Sequence, residues 1–210
     1  MNSSVPTFSS TAEIKVELDK IPKTGLSLFA DGKIYTHSLL LLGLLNRTYE
    51  LTESAMWAVN NDRPQTAANM LRALYETLGF TYYVKEQITS SPNNEERGKR
   101  IATLLMGSRA GGNGFQSVNI LTCLDKAVKT FPLLRKNYDD LSEIVHPNSS
   151  SHFYAGKTTD KTDSECRNVE FRVPFYEFKN EDKKNITNQV GECCYHIRSL
   201  CEEIVSFLKS

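Results

Sequence analysis

Apolar residues recur along this chain with the period of an α-helix over most of its length. From about Thr36 to Asn60, Leu42, Leu45, Tyr49, Met56 and Val59 fall at spacings that keep them on one helical face. Asn60-Asn61-Asp62 ends that run; Asp62 is placed to cap the next helix, with Pro64 in its first turn. The following segment, about Pro64 to Gln87, is apolar almost all round, as expected of a helix buried on most sides. Its polar residues Gln65, Asn69, Arg72 and Glu76 step by four, three and four, so they form one narrow stripe. Shorter helices are expected over about 95–108, 117–129 and 132–146. The 117–129 helix carries Val118, Leu121, Leu124 and Val128 on one side. The 132–146 helix stops at His146 because the residue before Pro147 avoids the helical region. A last clean helix runs from about Ile186 to Lys209.

Between these helices the pattern breaks. Residues 1–35 are rich in Ser, Thr, Pro, Asp and Lys and read as an N-terminal arm; within it, Ala12 to Leu18 fits a strand or a helical turn. Gly111-Gly112-Asn113-Gly114 marks a flexible break. Residues 148–184 turn polar, and Phe153-Tyr154 with the alternating Val169 to Val173 predicts a short hairpin or irregular insertion. The expected fold is therefore mainly α: one helical-bundle domain over residues 36–210, preceded by an arm.

Composition adds exclusions. The 210 residues are 40% hydrophobic and 24% charged, the profile of a chain that buries a core. Lys plus Arg and Asp plus Glu both number 25, so no bulk charge draws the chain to nucleic acid. The longest apolar run, Leu39 to Leu45, is far short of the roughly 20 residues that cross a bilayer. The first residues lack the pattern of a signal peptide. With no such leader, the five cysteines are expected as reduced thiols, the compartment as the cytoplasm, and the Asn-x-Ser/Thr triplets as silent. Trp57 and the tyrosines fit packing at helical spacing.

Two constellations could carry chemistry. Arg72 and Glu76 stand one turn apart; they suit the wall of a cleft that holds a phosphate or carboxylate, and equally the solvent face of a buried helix or an interhelical ion pair. Asn69 shares their stripe. His146 ends its helix, where the dipole favours a cationic cap, and an imidazole there is also available as general acid or base. Ser142, Glu143 and Asn148 surround it. Glu143-x-x-His146 matches the ligand spacing of di-metal bundles, but the second Glu-x-x-His such sites require is missing. No metal and no cofactor is expected.

The segments Leu71-Arg72-Ala73-Leu74-Tyr75-Glu76, Val118 to Lys126 and Tyr138 to Asn148, in this order, resemble a group of mostly uncharacterised bacterial helical proteins. That group carries an Arg-x3-Glu helix and a Leu-Ser-Glu-x2-His-Pro-Asn segment, here Leu141 to Asn148. The group in turn is similar to the HEPN superfamily, helical bundles that often dimerise and that include metal-independent ribonucleases of toxin–antitoxin and phage-defence systems. The resemblance implies a HEPN-like bundle, a homodimer, a protein partner in such a system, and RNA as a substrate if the chain is an enzyme. The superfamily's active motif leaves four to six residues between Arg and His. Here those positions hold Asp140, Asp139 and Leu141, so an Arg–His pair would have to join two helices, Arg72 with His146. Three functions follow: a non-catalytic dimerisation or binding module; a ribonuclease in which His146 is the base, Arg72 stabilises the phosphorane and Glu76 orients Arg72; or an anion- or nucleotide-binding bundle.

Overall fold

Helix α4 (Pro64–Thr89) is the axis on which the other elements pack. The computed structural model describes residues 5–107, 114, 116–146, 157–158, 169–170 and 178–209. Within them α4 lies against α3 (Thr36–Asn60), α5 (Asn94–Met106), α6 (Ile120–Ala127), α7 (Leu134–Val145) and α8 (Asn180–Lys209). The all-round apolar surface of α4 has this cause: Leu71, Leu74, Leu78, Val84 and Ile88 meet partners on several sides. Burying each such side chain stabilises by about 1.5–3 kcal/mol before entropy is counted. The mainly helical architecture expected from the pattern is the one observed.

Several boundaries moved for identifiable reasons. Helix α3 begins and ends where its periodicity does. Helix α8 starts at Asn180, not Ile186; Glu181 and Asp182 in its first turn complement the dipole and extend it. Asp62 does not cap α4. Its backbone takes the left-handed conformation, φ 51°, that turns the chain between α3 and α4. Its carboxylate instead accepts from Phe178 N–H and pairs with Lys183 at 2.9 Å, which holds its pKa below the ordinary range. Trp57 is not packing material but exposed, since the inward face of α3 runs through Ala55, Met56 and Val59. Leu42 likewise is half-exposed.

The arm is the largest correction. Residues 5–35 form α1 (Thr11–Leu18) and α2 (Ile21–Ser27), and Phe8, Ile14, Leu18, Ile21 and Leu28 belong to the main core. Ser10 and Glu13 make a reciprocal capping box that starts α1. The segment is then fastened to α8. Phe8 N–H donates to Asn188 at 2.8 Å, Thr24 Oγ donates to Glu202 at 2.8 Å, and Arg198 pairs with both Glu17 and Glu202. Glu17 and Arg198 are both buried. Phe8 sits over Gly191, where a Cβ would lie 2.7 Å from Phe8 Cβ and closer still to its ring.

A two-residue antiparallel pair, β1 (Lys157–Thr158) and β2 (Val169–Glu170), aligns Lys157 with Glu170 and Thr158 with Val169. It falls within the polar insertion, at the start of the alternating stretch. Phe153, Tyr154, residues 171–173 and Gly111 to Asn113 lie outside the described residues. Among the described residues, no helix is long and apolar enough to cross a membrane.

Candidate anion-binding cleft

The polar stripe of α4 opens into a cleft of about 640 Å³ bounded by α3, α4, α6 and α7 and by Leu105 of α5. That is the size range of small-ligand sites. Arg72 and Glu76 stand on its wall and are three-quarters buried. Their own contact is long, 3.7 Å between Nη2 and Oε1. Tyr138 closes the gap. Its hydroxyl accepts from Arg72 Nη2 at 2.9 Å and donates to Glu76 at 3.3 Å. The guanidinium also lies over the phenol ring, 5.0 Å from its centroid. Tyr138 reaches this position because Leu134, one turn before it, anchors the same face of α7 in the core.

The hydrogen bonding of Arg72 is incomplete. Its Nε is buried, and among the described residues no acceptor meets it. A buried donor left unpaired costs about 1–3 kcal/mol. A second guanidinium, Arg47 of α3, lines the same cleft, and its Nε donates to Thr77 at 3.0 Å. The first turn of α6 also borders the cleft, with Asn119 capping Leu121 N–H at 2.9 Å. Two guanidiniums against one carboxylate leave an excess of positive charge, which suits an anion.

Not every residue picked out from the sequence arrives here. Arg72 and Glu76 do. His146 does not line the cleft; it is exposed at the end of α7, eight residues or about 12 Å beyond Tyr138 at the helical rise. Its backbone N–H closes the helix onto Ser142 O, and the extended backbone at His146 is the expected stop before proline. Ser142 spends its hydroxyl on Tyr138 O. Asn69 is exposed and donates to Gln65 O, and Glu143 is exposed on α7. Asn148 lies outside the described residues. Tyr138, Asn119 and Arg47 carried no expected role. The first two stand inside the segments that bear the family resemblance, which was the signal available; Arg47 was a lone cation in an apolar helix.

The thiols are core residues. Cys123, Cys193, Cys194 and Cys201 are unpaired and buried, and burial pushes Cys123 up to about 11 and Cys194 and Cys201 up to about 12. Among the described residues, no three His, Cys, Asp or Glu side chains are grouped to hold a metal ion.

Fold and cleft together define a mainly helical bundle with a cation-bearing cleft beside its central helix. Compared with known proteins, the chain matches no family model, no curated protein and no solved structure.

Proposed function

We propose that the chain is a non-catalytic helical binding module whose cleft takes the anionic group of a ligand between Arg72 and Arg47. The observation that carries this reading is the buried Arg72 Nε, a donor that no acceptor meets among the described residues. Tyr138 and Glu76 hold the guanidinium in place, so its ordering entropy is already spent when a ligand arrives. The ribonuclease reading needs an imidazole within reach of the same ligand atom. His146 does not border the cleft, and the binding reading is preferred for that reason.

Two measurements test it. Acetate or inorganic phosphate, raised to tens of millimolar at constant ionic strength, is expected to raise the melting temperature of wild type and not of Arg72→Ala. No rise in wild type refutes the reading. RNA incubated in excess chelator is expected to stay intact; cleavage lost in both Arg72→Ala and His146→Ala would establish the ribonuclease instead.

A further inference from the structure

The polar and apolar linings of the cleft are sorted by height along its two long walls. On α4 the order is Arg72, Glu76, Thr77, Phe80, and Arg72 to Phe80 is about 12 Å at the helical rise. On α3 the order runs the other way, from Arg47 back through Leu44 and Leu40 to Leu39. The Arg47–Thr77 hydrogen bond sets the two walls level with each other at that point. Arg72, Glu76 and the Tyr138 hydroxyl therefore stand toward one end of the cleft, Arg47 stands level with Thr77 partway along it, and leucines and Phe80 wall the other end. Leu39, Leu105 and Leu121, which all line the cleft, are each more than a third exposed.

Gly43 points the same way from independent evidence. It sits in the interior of α3, where glycine costs helix stability relative to alanine. Its backbone does not take a positive φ, and a Cβ built on it would meet nothing within 4 Å. Among the described residues, neither conformation nor packing explains the glycine. It lines the cleft, and the position a Cβ would take is open space.

Building on the anion reading above, we infer that the ligand is an amphiphilic anion: a head with a single negative charge seated between Arg72 and Arg47, on an apolar body that lies over Gly43 toward Leu39 and Phe80. The slight excess of positive charge suits a carboxylate better than a dianionic phosphate. The apolar body distinguishes the ligand from a free inorganic anion.

Calorimetric titration with butyrate, hexanoate and octanoate, beside octyl phosphate and adenosine monophosphate, tests the inference. Affinity is expected to rise about fourfold per methylene, the step that burial of a CH₂ group gives. Octanoate is expected to bind more tightly than adenosine monophosphate and to lose at least tenfold in affinity in Arg72→Ala. Gly43→Leu is expected to keep or raise the melting temperature while abolishing the chain-length dependence; Leu39→Gln, at an exposed position, is expected to weaken octanoate without unfolding the protein. Affinity that ignores chain length, with phosphate or adenosine monophosphate binding through Arg72, overturns the amphiphile and leaves the anion reading intact. Unchanged octanoate affinity in both Gly43→Leu and Leu39→Gln also overturns it. No binding of any anion by wild type overturns both readings.

Discussion

Tyr138 and Arg72 are 66 residues apart in the chain and joined twice, by a 2.9 Å hydrogen bond and by the guanidinium over the ring. The contact ties α7 to α4 within the polar stripe of α4. Tyr138→Phe keeps the ring and removes the hydroxyl that links Arg72 to Glu76. It is expected to cost roughly 1 kcal/mol in urea unfolding, the scale of one such hydrogen bond. Anion affinity is expected to fall with it, because Arg72 loses its orientation. Tyr138→Ala, which also empties a buried site, is expected to cost about 3–5 kcal/mol.

The Glu17–Arg198 pair is buried and spans 181 residues. Replacing one partner alone, as in Glu17→Leu, leaves a largely buried guanidinium with the half-exposed Glu202 and is expected to cost about 3–5 kcal/mol. The double replacement Glu17→Leu/Arg198→Met is expected to cost less than the sum of the single changes. A double-mutant cycle in urea measures the difference; additive losses would show that the charges are not coupled.

His196 gives the stability a pH dependence. It packs against the edge of Phe131, and burial lowers its pKa, with Glu192 opposing. Lys85, Glu86 and Glu203 border the same recess. The folded state thus binds this proton less readily than the unfolded state does. Stability is full above the unfolded value, about 6.5, and falls as pH drops below it. His37, also lowered by burial, adds a slope of the same sign. His196→Gln is expected to flatten the melting-temperature profile between about pH 5 and 6.5, above the range where the carboxylates titrate. An unchanged profile would assign the slope to other groups.

The buried thiols are expected to be silent. In a Cys166→Ser variant, a disulfide reagent at neutral pH should modify almost nothing until the protein unfolds, since Cys123, Cys193, Cys194 and Cys201 lack both solvent access and thiolate character. Rapid reaction of the folded variant would mean that α6 or α8 opens locally on the timescale of the reagent.

The long helices were legible because one face of each had to repeat. Helix α3 shows this most clearly, with its ends at Thr36 and Asn60 marked by the pattern alone. The stripe of Arg72 and Glu76 was legible for the converse reason: polar residues on a helix buried all round must share a common outlet. The short α1 reads from sequence as either a strand or a helical turn, and α2 was missed. Eight or fewer residues hold too little periodicity to stand out, and the helices they pack on, α3 and α8, come later in the chain. The signal that was present, Ser10-x-x-Glu13, is a helix start rather than a helix body. The cleft itself was not legible either. Arg47, Asn119 and Tyr138 come from three helices, and only packing decides that they meet.

The fastening of α1 and α2 onto α8 sets an order of events during synthesis. The residues that seal this part of the core are made first, yet Arg198 follows Glu17 by 181 residues. At ordinary rates of translation of about 5–20 residues per second, Phe8, Ile14 and Leu18 wait roughly 10–40 s for their partners. Through that interval α3, α4, α6 and α7 can assemble while an apolar stretch near the start of the chain stays open to solvent. The nascent chain thus carries an unsatisfied apolar segment that α8 later covers.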